Sequence, residues 1–413
     1  MTEQQTTPEL RFPGFKDEWT QSYLDQLGDF KKSYSLSRSF EGNGDYRYIH
    51  YGDIHSRFPS ILKFANIIPT ITEIKDFEEI EKGDLIFADA SEDYKDLGKT
   101  ILADFNDSKI IAGLHTHLFR PKNFIDSKFL LYNTKTNNYL KFIRKQGTGI
   151  SVLGISKKNL SKYLMSLPSS EEQYKISNFF SKLDRQIKLE EEKLALFEQQ
   201  KKGYMQKIFS QELRFKDDNG CDYSNWEMKK LDKIANYRRG SFPQPYGNKE
   251  WYDELNGEPF VQVVDVDKNM QLHEQTKQRI SDLAKPKSVK GYKGDIVVTL
   301  QGSIGRVAIL QYDAYIDRTL LLINSFKIDI NKNYFKYALY LLFLKEKEKA
   351  PGGTIKTITK TVLSNFIINV PSIKEQVKIG NFLEKLDYLI EKQTLKVETL
   401  QQRKQGLLQK MFV

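Results

Sequence analysis

The sequence predicts an α+β protein: two α/β bodies, each followed by a long helix, with the two helices packed as an antiparallel coiled coil of pseudo-two-fold symmetry. Three observations lead there. A tail segment occurs twice at a fixed offset, each copy carries a heptad pattern, and short β-like runs mix with amphipathic stretches ahead of each copy.

The repeat comes first. Pro168 opens PSSEEQYKISNFFSKLDRQI and Pro371 opens PSIKEQVKIGNFLEKLDYLI, an offset of 371 − 168 = 203. At that offset Glu172-Gln173 matches Glu375-Gln376 and Asp184 matches Asp387. Gly203, Gln206, Lys207 and Phe209 match Gly406, Gln409, Lys410 and Phe412 without a gap. Leu10-Arg11-Phe12 recurs as Leu213-Arg214-Phe215, while Trp19 and Leu24 recur as Trp226 and Leu231, now 207 residues on. Lys82-Gly83-Asp84 and Lys293-Gly294-Asp295 form a further shared landmark, each followed by an apolar run. The stretches between diverge. The chain thus divides into a body at 1–165, a helical segment at 166–210, a second body at 211–368 and a final helical segment at 369–413.

In the first tail Ile176, Phe180, Leu183, Ile187, Leu194, Phe197, Tyr204 and Ile208 follow an alternating spacing of three and four. The second tail repeats it with Ile379, Leu383, Leu386, Ile390, Val397, Leu400, Leu407 and Met411. Serines just after Pro168 and Pro371 are placed to cap each start. About 38 residues at ~1.5 Å each make a rod of roughly 55–60 Å. Glu190 and Lys201, then Gln393 and Lys404, are polar at heptad positions. One antiparallel register, with pair sum 190 + 404 = 201 + 393 = 594, sets Glu190 against Lys404 and Gln393 against Lys201. The alternative is polar residues at a partly solvated seam.

In the bodies, Lys82–Ala88, Lys109–Ala112, Phe260–Val266, Asp295–Leu300, Arg306–Leu310 and Leu320–Phe326 read as strands, and Tyr334–Lys349 as a helix. Basic residues collect around loops. Arg238 and Arg239 precede Gly240, and Gln301, Ser303 and Arg306 flank Gly302 and Gly305. His115, His117 and Arg120 form a comparable cluster. Glycine lets backbone approach a phosphate, and arginine can bind guanine bidentately, so these are candidate DNA contacts; ordinary surface turns are the alternative.

Composition narrows the classes. A formal charge of +10 and a pI near 9.1 favour a polyanionic partner, nucleic acid first and an anionic membrane surface second. The single cysteine, Cys221, excludes an intramolecular disulfide and a cysteine-rich zinc site, and fits a reducing cytoplasm. No apolar run reaches the ~20 residues of a membrane span, and MTEQQTTPEL is not a signal segment. A soluble, cytoplasmic protein is expected.

Catalytic patterns fail on inspection. Leu97-Gly98-Lys99-Thr100 resembles the end of a phosphate-binding loop, but the upstream glycine that loop needs is Asp93. Gly147-Thr148-Gly149 lacks a third glycine, and its counterpart Gly352-Gly353 precedes the same helix, so both read as loops. His115 and His117 are two apart as a metal pair on a strand would be, with no cysteine nearby. Asp84 with Asp93-Tyr94-Lys95 imitates a nuclease set that the second body does not repeat. No metal or cofactor is expected in this chain.

Taken together, Leu10–Trp19, Pro168–Phe209 and Pro371–Phe412, with GLHTHLFRP at Gly113–Pro121 and the Gly302–Val307 loop, resemble the specificity subunit (HsdS) of type I restriction–modification systems over nearly the whole chain. The resemblance implies two target recognition domains, each reading one half of a split, asymmetric site in double-stranded DNA. The helices would set the unread gap and dock two methyltransferase subunits. Those partners would supply S-adenosylmethionine chemistry, and restriction/translocase subunits would use ATP and Mg. A divergent nuclease or single-chain methyltransferase, and a coiled-coil scaffold binding only protein, are the alternatives from other classes.

Overall fold

The computed structural model describes residues 7–73, 75–349, 358 and 360–413; Gly352-Gly353 lies outside them. The chain forms two compact units, Met1–Glu191 with Leu395–Val413, and Glu192–Thr394. Each unit therefore combines a body with a stretch of both long helices, Ser170–Phe209 and Ile373–Met411.

The first unit holds a five-stranded sheet in the order Gly28–Lys31, Thr116–Pro121, Leu85–Ala88, Thr100–Ala103, Ile61–Leu62. The second holds a four-stranded sheet in the order Ala235–Arg239, Leu320–Phe326, Ile296–Thr299, Val307–Ile309, the same path without the last strand. A second sheet in each unit contains one parallel pair, Glu41–Ile49 with Ile110–Ala112, and Glu258–Val261 with Ala314–Ile316. The central strands Leu85–Ala88 and Ile296–Thr299 are buried on both faces, which is why residues 85–88 and 296–298 read as unbroken apolar runs. In each unit a strand before the body pairs antiparallel with the strand that leads into a long helix, Thr20–Tyr23 with Leu164–Leu167 and Glu227–Lys230 with Ile367–Val370.

The shared landmarks are joints. Gly83 and Gly294 adopt φ of 97° and 92°, a conformation glycine takes without penalty. In the turn each occupies, the following aspartate accepts a backbone N–H three residues back: Glu81 N to Asp84 Oδ2 at 2.8 Å, and Tyr292 N to Asp295 Oδ2 at 2.9 Å. Arg11 grips the fully buried Glu172 with two bonds of 2.7 and 2.8 Å. Arg214 does the same to Glu375 at 3.1 and 2.8 Å, with Trp226 Nε1 adding a third bond at 3.0 Å. Gln173 donates to Pro168 O and accepts from Asp126 N, as Gln376 does with Pro371 O and Asn331 N. The recurring Leu-Arg-Phe and Glu-Gln pairs are thus two halves of one clamp.

The reading of Phe260–Val266 as one strand needs correction. The strand ends at Val261, and Val263–Asp265 forms a helical turn because Asp265 Oδ2 accepts Gln262 N at 2.7 Å.

The helix register also differs from the reading by heptads. In the first unit Lys404 pairs with Asp184 and Glu190 with Lys396; in the second Lys201 pairs with Asp387. The pair sums 184 + 404 and 201 + 387 are both 588, not 594. Lys404 and Lys201, which the heptads set against Glu190 and Gln393, are ion-paired with Asp184 and Asp387, and Gln393 is buried. The bodies decide the register. Tyr132 donates its hydroxyl to Asp184 Oδ2 at 2.8 Å, and Tyr337 to Asp387 Oδ2 at 2.5 Å, so each aspartate faces the seam as the lysine's partner. Further along, Met205 and Ile208, and Leu408, Met411 and Phe412, are buried in their units while Tyr204 is 39% exposed. A straight helix drifts from a seven-residue stripe by ~20° per heptad, and the apolar face follows the body rather than the heptad.

Candidate nucleic-acid interface

At one rim of each unit the same backbone bonds hold unlike loops. In the first, Asp89 N donates to His115 O (3.0 Å), Gly113 N to Ile49 O (2.9 Å), Tyr34 N to Ala112 O (2.9 Å) and Ile155 N to Asp89 O (2.8 Å). In the second, Leu300 N donates to Thr319 O (2.8 Å), Asp317 N to Val261 O (3.0 Å), Ser241 N to Ile316 O (3.0 Å) and Ile358 N to Leu300 O (3.4 Å). The frame is common and the side chains on it are not.

In the first unit, His115 is exposed in a left-handed conformation (φ 54°), a cost that histidine bears more readily than most residues. Its Nδ1 lies 3.1 Å from Asp89 Oδ1 and its ring packs edge-on to Tyr51, centroids 5.2 Å apart. His117 does something else. It is 7% exposed, with Nε2 bonded to Ile155 O at 2.8 Å, and burial pushes its pKa down, so a neutral ring braces the loop from beneath. Burial likewise lowers His50 and His55 beside Tyr51.

Arg120 is held by carboxylates of its own unit. Nε and Nη2 grip the buried Asp84 at 2.9 and 2.8 Å, Nη1 reaches Glu81 at 2.5 Å, and Nη2 also meets Glu79 O at 3.1 Å. A guanidinium has five N–H donors, and these bonds occupy most of them. His117 and Arg120, both candidate contacts by sequence, are thus engaged inside the unit, the one with Ile155 and the other with Asp84 and Glu81.

In the second unit Arg238 and Arg239 are exposed at the end of their strand, and Arg239 Nη2 donates to Ile358 O at 2.8 Å. Gly240 must be glycine there: a Cβ would stand 2.2 Å from Ile316 O and 2.3 Å from Asp317 O. Gln301 and Ser303 are half-buried in a tight loop in which Gly302 and Gly305 take φ of 65° and 84°. Thr299 closes it, its hydroxyl donating to Ser303 O at 2.5 Å and accepting from Arg306 N at 3.0 Å. Arg306 is half-buried and spends Nη1 on Val266 O at 2.9 Å.

The rim contains residues that the sequence reading did not single out: Tyr51 and Asp89 in the first unit, Arg318 and Tyr246 in the second. An Asp-Arg-Thr turn directly before an apolar run was the available signal for Arg318. The other rejected motifs have structural uses. Asp93 Oδ1 accepts Lys95 N and Asp96 N, and Gly98 O accepts the Tyr139 hydroxyl. Among the described residues no three His, Cys, Asp or Glu side chains gather to hold a metal, and no helix is long and apolar enough to cross a membrane.

Comparison with known proteins agrees with this layout. The family described as "Type I restriction modification DNA specificity domain" matches twice, at residues 16–199 and 223–399. The type I restriction enzyme MjaVIII specificity subunit of Methanocaldococcus jannaschii is 26% identical over 318 residues, 72% of either chain. A second protein of that organism, provisionally named the MjaX specificity subunit, is 26% identical over 343 residues, 79% of this chain and 76% of its own. The crystal structure of a type I restriction–modification system S subunit from M. genitalium superposes with a TM-score of 0.58 at 18% identity, covering 98% of this chain and 99% of that one. A chain from a structural study of complex assembly and conformational transition in the type I restriction–modification system gives 0.59, also at 18% identity, covering 97% and 98%. With two matched domains across most of its length, the chain belongs to the type I restriction–modification DNA specificity family, the subunits that recognise DNA sequence.

Proposed function

We propose that each half of the chain reads one half of an asymmetric, bipartite site in double-stranded DNA, with 1–165 and 211–368 as readers and the helices at 166–210 and 369–413 as the ruler between half-sites. The observation that carries this reading is the pair of matched rims: one set of backbone bonds under His115 and Asp89 in one unit, and under Gln301, Ser303 and Arg318 in the other. A symmetric site would call for like side chains on a like frame. His115, Arg238, Arg239, Gln301, Ser303 and Arg306 are the proposed contacts. Lysines and arginines neutralise phosphates, and a few side chains read base edges.

The chain works in the cytoplasm and leaves chemistry to partners. Two methyltransferase subunits dock on it with S-adenosylmethionine, and restriction/translocase subunits bring ATP and Mg. Mapping methylated adenines across the genome, with and without this gene, tests the reading. A two-part motif that disappears with the gene is the expected result; an unchanged methylation map rejects it. Adding one helical turn to both 166–210 and 369–413 is expected to lengthen the unread gap while both half-sites persist. The spacing logic is that of dimeric DNA readers.

A further inference from the structure

One exposed cation of the second unit has a platform built for it. Arg318 lies between the strands Ala314–Ile316 and Leu320–Phe326, with its guanidinium carbon 4.7 Å from the centre of the Tyr246 ring. That ring is held from both sides. The Tyr246 hydroxyl donates to Asp317 Oδ2 at 2.6 Å, and Phe242 stacks on the ring with centroids 5.2 Å apart. The Tyr252 hydroxyl donates to Tyr246 O at 3.0 Å. Asp317 is 2% exposed and accepts Thr319 N through Oδ1 at 2.8 Å. The neighbouring loops meet here too, since Leu300 N bonds Thr319 O and Gly240 packs on Ile316 and Asp317.

A phosphate can be neutralised by any mobile lysine or arginine. Arg318 is exposed, with its guanidinium over the Tyr246 ring, and among the described residues it forms no ion pair with a carboxylate, unlike Arg120 of the first unit. Contact with the ring restrains the guanidinium, and a fork of donors restrained in this way suits a planar acceptor pair. Guanine offers such a pair, O6 and N7, in the major groove. The geometry points to Arg318 as a specificity-determining residue that reads a guanine in the half-site of the second unit, with Tyr246 as its positioning residue. This rests on the reading of that unit as a DNA reader.

The test uses the full chain assembled with its methyltransferase subunits. Binding is measured to duplexes varied at every base pair, across a salt series, with genome-wide adenine methylation as a second readout. Arg318→Ala is expected to weaken the best duplex about ten- to a hundredfold and to abolish the preference at one G·C pair of one half-site. The other half-site stays read, which also shows that the complex is assembled. Arg318→Lys keeps the charge but does not restore the preference, and Tyr246→Leu weakens the same preference with the salt dependence unchanged. Unaltered discrimination overturns the assignment. So does a uniform loss over all sequences with a shallower salt dependence, the mark of a phosphate contact. Should Arg318→Ala lose both half-sites, Arg318→Lys decides. A wild-type complex without sequence preference overturns the reader assignment itself, and that of Arg318 with it.

Discussion

Asp184 of the first long helix receives a hydrogen bond from Tyr132 of the body and an ion pair from Lys404 of the C-terminal helix. Asp387 receives the same pair of partners from Tyr337 and Lys201. One carboxylate thereby ties a body to both helices within each unit. A double-mutant cycle on Asp184→Asn and Lys404→Met is expected to give a coupling of about 0.5–1 kcal/mol in denaturant unfolding. The cycle on Glu190 and Lys404 is expected to give none; coupling there with none at Asp184 would restore the heptad register.

Removing Arg11 leaves Glu172 buried without its guanidinium. Arg11→Ala is expected to cost about 3 kcal/mol, and Arg11→Ala with Glu172→Leu distinctly less, because the stranded charge goes with its partner. Thermal unfolding of both variants measures this; equal losses would show that packing, not the charge, holds the clamp.

Burial pushes Lys135 down to about 8, Lys404 beside it acts in the same direction, and Asp184 opposes. An unfolded lysine titrates near ~10.4, so between roughly pH 8 and 10 the unfolded chain binds more protons than the folded one. Stability contributed by this group therefore rises with pH across that window. Lys135→Met is expected to stabilise the protein below it and to flatten the difference above it. Urea midpoints of the two proteins that run parallel in pH would contradict the assignment.

Arg120 and His115 are expected to part company. Arg120→Ala strands Asp84, so it lowers the unfolding temperature and leaves the DNA preference in place. His115→Ala changes stability by less than about 1 kcal/mol and erases preference in one half-site. The reverse pattern would return Arg120 to the interface.

Gly240→Ala is expected to destabilise the second unit and to blur its half-site, because a methyl group meets two carbonyls at under van der Waals contact. Calorimetry and methylation mapping read both effects.

The frame was legible because its parts recur. Local pattern marked the long helices and the apolar central strands, and the 203-residue offset marked the residues of the clamps, whereas Lys82-Gly83-Asp84, read as the start of a strand, is a turn. The register was not legible. Heptads rank apolar positions, whereas Tyr132 and Tyr337, far off in sequence, decide where Asp184 and Asp387 point. The rims were legible only as composition. Arg120 and His117 carry the residue types of a DNA contact and are used as internal struts, since Asp84 and Ile155 reach them first.

Phe412 stacks near Phe129 and Phe180 in the core of the first unit, with ring centroids 5.0 and 6.0 Å away. A ribosome therefore makes every residue of the second unit before it makes the segment that the first still lacks. The earlier-born half must therefore wait for the last segment to be made, with Phe129 and Phe180 lacking Phe412 in the meantime. A nonsense codon shortly after residue 394 would spare the second unit's own residues and leave the first one sticky.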